Sequence, residues 1–233
     1  MRNYSQEHAA RLTVEEIVGH WRGNAYRFGR PHARLQLVAR IVSTLPARSG
    51  AHASHPRTLL DLGCGPAALR QLLPADIAYH GVDLTAEALP PGRVSDRFAV
   101  ADLNADEDPF PTRTFDVLVV SGMFEYVRDP GAFLALVRGK TRPGGHLVLT
   151  YLNRWHHREL LARLLRRVPT YPDPHINFIS IAEAARRIVA SGFVIESYSM
   201  LSAEQRVLPV VPGILYFPLN VLARTFVFVC RRL

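Results

Sequence analysis

Leu59-Leu-Asp-Leu-Gly-Cys-Gly-Pro-Ala67 sets an acid near the end of an apolar run and two glycines directly behind it. The run reads as a buried strand. Gly63 and Gly65, with Cys64 between them, let the backbone turn sharply and come close to a ligand. Pro66 predicts the first residue of a helix whose free N–H groups face the same crevice. Asp83, in Gly81-Val-Asp-Leu84, closes the next apolar run twenty residues after Gly63. An acid at that distance can accept hydrogen bonds from both hydroxyls of a ribose. Asp102 and Leu103 follow a third run, and Ser121 a fourth. The pattern describes a nucleoside site on one edge of a sheet.

Two ligand classes fit such a loop. Gly63-Cys-Gly-Pro-Ala-Ala68 satisfies the looser dinucleotide pattern G-x-G-x-x-G/A, a weak signal by itself that keeps a nicotinamide-dependent reductase in view. Asp61 argues the other way. A carboxylate directly before the turn opposes a pyrophosphate but suits the cationic amino group of a methionine moiety, and a sulfonium also favours an electronegative pocket. Both features belong to S-adenosyl-L-methionine. Beyond these, His156, His157 and His175 follow the fifth strand and are candidates to take a proton from a hydroxyl acceptor, although single histidines are more often solvated or packed. Glu125 fits a ligand role or a backbone bond equally, and Asp116 fits a turn.

Residues of these types need strands and helices to bring them together. Apolar runs predict strands at Thr58–Leu62, 78–82, Phe98–Val100, Phe115–Val120, 146–151, 193–200 and 225–230. Thr13 with Glu16 and Ser180 with Glu183 form capping boxes, Asp129-Pro130 opens another helix, and Gly192 suits a helix C-terminus. A further helix is expected over about 32–45. Strands alternating with helices predict a mainly parallel sheet covered on both faces. The basic stretch from Arg154 to Val168 puts Leu161, Leu164, Leu165 and Val168 on one helical face. Such a face either packs on the core, covers a pocket or lies on an anionic membrane. Val207–Ala223 is apolar and broken by Pro209, Pro212 and Pro218, which suits an acceptor-pocket wall, an interfacial loop or simple cover for the sheet edge.

The 233 residues suit one domain of ordinary size with additions at its ends, and 48% apolar content supplies a sizeable core. No uninterrupted apolar run reaches the roughly 18 residues of a membrane span. Met1–Ala10 lacks a signal-peptide stretch, and Cys64 and Cys230 cannot form a disulfide framework or a four-cysteine zinc site. A reducing cytoplasm is the expected compartment, with peripheral contact at the inner face of the membrane left open. The net charge of +8 would suit a polyanion taken whole. Its distribution does not: residues 61–120 carry four basic and ten acidic side chains, while the surplus of positive charge flanks them. Nucleic acid is therefore disfavoured as a partner against a small-molecule acceptor, and the oligomeric state is not encoded legibly.

Taken together, the segments resemble a class I S-adenosylmethionine-dependent methyltransferase. Leu59–Ala67 resembles the family's first motif, Gly81-Val-Asp83 its ribose-binding acid, and Ala101-Asp-Leu103 its adenine-contacting segment. Phe115–Ser121 resembles the fourth strand, Glu125–Pro130 the usual Glu-His-Val-x-Asp-Pro stretch, and Arg142–Leu149 the turn into the fifth strand. The resemblance covers about residues 57–150 closely and 175–232 loosely. It implies an α/β, Rossmann-like, seven-stranded, mostly parallel sheet with helices on both faces. Residues 1–56 would form a helical cap with Trp21, Tyr26 and Arg30, and 57–233 the catalytic domain, with a late insertion at about 201–224. It implies S-adenosyl-L-methionine held by Asp61, Gly63, Cys64, Gly65, Asp83, Leu84, Asp102, Leu103 and Ser121, and transfer of its methyl group to oxygen or nitrogen of a secondary metabolite, glycan or lipid precursor. RNA or DNA methylation is the alternative, and a non-catalytic adaptor of the same fold a weaker one. Ala67 replaces the commonest third glycine. Metal-dependent O-methyltransferases of the family often carry Glu-x-x-Glu-His where this chain has Gly122, Glu125 and Tyr126, so no metal is expected.

Overall fold

A computed structural model of the chain describes residues 15, 18, 19, 32–46, 56–86, 97–105, 107–153, 156–165, 177, 179–204, 206–208 and 222–233. Its strands are β1 (Thr58–Leu62), β2 (Ala78–Asp83), β3 (Phe98–Val100), β4 (Phe115–Val120), β5 (Thr141–Leu152), β6 (Phe193–Leu201), β7 (Val207–Leu208) and β8 (Thr225–Arg232). They form one sheet in the order β3-β2-β1-β4-β5-β8-β6-β7. The first five strands pair in parallel, and β8, β6 and β7 join antiparallel. Among the described residues the sheet has eight strands rather than the expected seven. The extra one, β7, is two residues long and adds to β6 through Met200 and Leu201.

Alternation along the strands divides the core into two layers. Leu60, Leu62, Leu118, Val120, Leu147 and Leu149 face one side, against Phe133, Leu134 and Val137 of helix α2 (Pro130–Lys140) and Ala184 and Ile188 of a later helix at Ile181–Ala190. Leu59, Val117, Val119 and Val148 face the other side, against Leu37, Val38 and Val42 of helix α1 (Ala33–Thr44). Each of these α1 side chains is buried and contributes about 1.5–3 kcal/mol. The helix that the sequence assigns to the N-terminal segment thus shares a core with β1 and β4.

The caps read from sequence take the expected form. Asp129 Oδ1 accepts hydrogen bonds from the N–H groups of Gly131 and Ala132. Ser180 Oγ accepts from Glu183 N–H, while the Glu183 carboxylate turns to Arg186 and Arg187 instead of closing the box. Gly192 takes φ +88°. Asp116 ties three strand starts together: Oδ2 accepts from the N–H and hydroxyl of Thr58, and Oδ1 pairs with Arg142. Residues 142–145 bulge opposite it, between the pairs Phe115↔Thr141 and Val117↔His146.

One expected element is different. No helix begins at Pro66. Ala67 sits in the left-handed region at φ 56°, which interrupts any helical run, and only a short 3-10 helix, Ala68–Leu72, follows. Helix α3 (His157–Leu164) falls within the basic stretch, but Leu161, Leu164 and Leu165 are exposed, Leu164 to 78%, so this side does not pack on the core. Helix α4 is the one at Ile181–Ala190. No helix among the described residues is long and apolar enough to cross a membrane. The Thr13–Glu16 capping box, Trp21, Tyr26, Arg30, Val168, His175, Pro209, Pro212 and Pro218 lie outside the described residues.

Candidate active site

Strand order reverses between β1 and β4, so the connections leaving these neighbours diverge and open a crevice outside their C-terminal ends. The loop after β1 and the loop after β4 line it and touch. A Cβ at Gly63 would lie 2.8 Å from Met123 Cβ, and Gly63 takes φ +75°. Gly65, at φ +50°, has nothing within 4 Å of where its Cβ would be, so its bare backbone faces open space. The loop is pinned from below, where Gly63 and Cys64 donate N–H bonds of 2.8 and 3.0 Å to the carbonyl of Val82.

Asp83, at the end of β2, braces this turn. Its Oδ2 accepts from Gly65 N–H at 2.7 Å and its Oδ1 from Leu84 N–H at 2.8 Å. Burial raises its pKa, and these N–H bonds pull it back. Asp61 is buried deeper, at 4% exposure. Burial pushes its carboxyl up to about 7, with Asp83 adding to the rise and the Tyr79 hydroxyl and Arg34 opposing it. Tyr79 donates to Asp61 Oδ2 at 2.6 Å. The Cys64 thiol, buried and near both acids, is pushed well above its usual range and stays protonated. After β3, Asp102 Oδ1 accepts from Asn104 N–H at 2.9 Å, and Leu103 is buried. After β4, Ser121 Oγ is buried with no hydrogen-bond partner. All nine residues that the sequence assigned to the cofactor therefore lie along one sheet edge.

Arg34 and Asn177, which carried no sequence signal, also reach this edge. Arg34, from α1, lays its guanidinium against Gly122, where a Cβ would fall 2.6 Å from Nη2 and 2.8 Å from Nη1. Gly122 takes φ +74° and donates its N–H to Thr150 Oγ1 at 2.9 Å. Burial lowers the Arg34 pKa, and Glu125, Tyr126 and Asp61 work against that loss. Its Nε is buried without a hydrogen-bond partner. Gly122 stands where the metal-dependent pattern carries an acid, and a guanidinium takes the adjoining space. Glu125 Oε1 accepts from Leu152 N–H at 2.9 Å, a backbone bond that joins the loop after β4 to β5. Asn177 fastens the same loop by donating from its backbone to Glu125 O and from Nδ2 to Phe124 O. His156 is buried and lies against the exposed His157, with ring centroids 4.1 Å apart and the ring planes tilted by 46°, just beyond β5.

A family model described as a methyltransferase domain matches residues 30–198. The chain belongs to the class I S-adenosylmethionine-dependent methyltransferase family. This methyltransferase is 29% identical over 193 residues to the ubiquinone biosynthesis O-methyltransferase of Thiobacillus denitrificans, covering 78% of this chain and 81% of that one. To the protein of the same name from Aeromonas salmonicida it is 27% identical over 155 residues, covering 61% of this chain and 65% of that one, a little under two thirds of the relative's length. Its fold matches that of an S-adenosylmethionine-dependent methyltransferase from Archaeoglobus fulgidus with a TM-score of 0.58 at 16% identity, over 85% of this chain and 94% of that one. Membership sets aside the dinucleotide reading of the glycine loop. The cofactor also fits the methyltransferase's own residues. Gly65 leaves a cradle that a side chain would fill, Ser121 Oγ and Arg34 Nε are buried polar atoms with no partner, and Asp61 is a buried acid at the same loop.

Proposed function

We propose that this protein transfers a methyl group from S-adenosyl-L-methionine to an oxygen atom of a small-molecule acceptor. The observation that carries the reading is that a buried acid and a guanidinium stand at the two loops that line the crevice, Asp61 at the end of β1 and Arg34 against Gly122 after β4. Asp61 and Arg34 are of opposite charge, and the guanidinium works with the Tyr79 hydroxyl to oppose the rise that burial gives the Asp61 carboxyl. A ligand whose one end bears both an ammonium and a carboxylate complements that pair. Asp83, at the mouth of β2, would take the ribose hydroxyls on lone pairs left over from Gly65 and Leu84. Asp102 and Leu103 would flank the adenine, and Ser121 Oγ would complete the polar lining. Oxygen rather than nitrogen is favoured as the acceptor because the curated relatives at 27% and 29% identity are named O-methyltransferases.

Bound in this way, S-adenosylmethionine supplies a methyl carbon on a sulfonium, open to attack from the side opposite the sulfur. The chain's part is to hold the acceptor in line and keep water out. Glu125, Asn153 and Asn177 are buried at the C-terminal edge of β5 and bond to backbone, which fixes that side of the crevice. His156 is the residue we assign to take the hydroxyl proton, since it is buried directly past that edge and neutral imidazole accepts a proton near pH 7. Calorimetry with S-adenosylmethionine and S-adenosylhomocysteine tests the cofactor, and labelled-methyl transfer to phenolic and catecholic acceptors tests the chemistry. Binding of neither nucleoside overturns the reading. Transfer only to amines, or only to polynucleotides, overturns the acceptor class.

A further inference from the structure

Tyr79 lies on β2 opposite Leu59, two residues before Gly81, which lies opposite Asp61. Its hydroxyl nevertheless meets Asp61 Oδ2 at 2.6 Å. Two strand residues rise about 6.6 Å, a span that a phenol side chain leaning along its strand can reach. Gly81 keeps that lane narrow and free of a side chain of its own: a Cβ there would lie 2.6 Å from Cys64 Sγ and 2.9 Å from the Phe98 ring. Phe98 also holds the Tyr79 ring, with centroids 6.0 Å apart. Asp61 Oδ1 accepts no hydrogen bond from the described residues. One oxygen of the carboxylate is thus tied and the other left open.

We propose that Tyr79 is a positioning residue for the amino-acid end of the cofactor: its hydroxyl holds Asp61 Oδ2 so that Oδ1 is presented to the ligand's ammonium group. This rests on the cofactor reading above. The groups that face Asp61 are Tyr79 and Asp83 from β2, Cys64 from the glycine loop and Arg34 from α1. Burial and Asp83 push the carboxyl towards its neutral form, which offers a proton instead of a lone pair. Arg34 opposes this with charge and Tyr79 with a hydrogen bond. Removing the Tyr79 hydroxyl therefore does two things at once. It frees the carboxylate to rotate, and it moves its titration to higher pH.

The test is calorimetry of wild type, Tyr79→Phe and Asp61→Asn with two probes, S-adenosylhomocysteine and 5′-methylthioadenosine. The second shares the adenosine and the sulfur but has no ammonium. Tyr79→Phe should bind S-adenosylhomocysteine about tenfold more weakly at pH 7, as expected for loss of a hydrogen bond to a charged group. It should leave 5′-methylthioadenosine within about twofold, and its affinity for S-adenosylhomocysteine should recover as pH rises, with a midpoint roughly one unit above wild type. A purely structural tyrosine would weaken both probes alike and leave the midpoint in place, and that result overturns the inference alone. Wild type that binds neither probe overturns the cofactor reading and the inference with it. Should Tyr79→Phe not fold, Asp61→Asn reads the same coupling. It should lose S-adenosylhomocysteine, keep 5′-methylthioadenosine and show no pH midpoint, and retention of a wild-type midpoint overturns the inference.

Discussion

Gly122→Ala separates what the crevice needs for folding from what it needs for binding. The glycine takes φ +74°, and an added Cβ would stand 2.6 Å from Arg34 Nη2, 2.8 Å from Nη1 and 2.9 Å from Cζ. The left-handed backbone costs an L-residue about 1–2 kcal/mol. The clash itself costs less, because the atoms it meets are the free end of a flexible side chain, which can swing away. The expected destabilisation is therefore about 1–2 kcal/mol, a fall of roughly 2–8 °C in Tm for a domain of this size. The functional cost is larger. A swung-out Arg34 leaves the anionic end of the ligand without its guanidinium, and one lost charge-assisted hydrogen bond is worth about 1.5–3 kcal/mol. Affinity for S-adenosylhomocysteine should fall by roughly tenfold to a hundredfold. Thermal unfolding and calorimetry on one preparation read both quantities. Arg34→Met should reproduce the loss of affinity without the backbone penalty. If Gly122→Ala lowers Tm as expected yet binds the ligand as tightly as wild type, Arg34 does not serve the pocket and the proposed acid–guanidinium pairing fails.

Other outcomes follow from the same geometry. Ala67 holds φ 56°, so Ala67→Val, which places a β-branched side chain in the left-handed region, should cost about 2 kcal/mol or more by chemical denaturation and weaken cofactor binding, while Ala67→Gly should stay within about 1 kcal/mol of wild type. His156→Gln should lower kcat for a hydroxyl acceptor by roughly a hundredfold or more with cofactor affinity intact, and an unchanged kcat would remove His156 from the proton-transfer role. The raised carboxyls give a pH dependence of stability. Asp61 titrates near 7 in the fold and near 3.8 when unfolded, so between those values the folded chain binds more protons and loses stability as pH rises. Tm of the ligand-free protein should drop from pH 5 to pH 8, Asp61→Asn should flatten that slope, and a slope unchanged in Asp61→Asn would contradict the assignment.

The glycine loop, Asp83, Asp102 and the caps at Asp129 and Ser180 were legible because each is local. A turn, a strand end or a helix start is specified by residues within a few positions of one another, and spacing reports it directly. The parallel pairing of the first five strands followed from the same local alternation, since a strand–helix–strand unit brings its strands into one sheet in the same direction. The helix expected at Pro66 failed on a local detail that spacing does not show, the left-handed turn at Ala67. What the tertiary structure alone decided lies in contacts between distant segments. Nothing in the sequence around Arg34 points to Gly122, and nothing around Tyr79 points to Asp61. Register between β1 and β2 aims the phenol, and packing of α1 against β1 and β4 aims the guanidinium. The burial that raises Asp61 to about 7 is likewise a property of the assembled core. The sequence by itself named the candidate groups for a cationic nucleoside; only the fold, by excluding water and juxtaposing remote strands, set their charge, their partners and the direction in which they face.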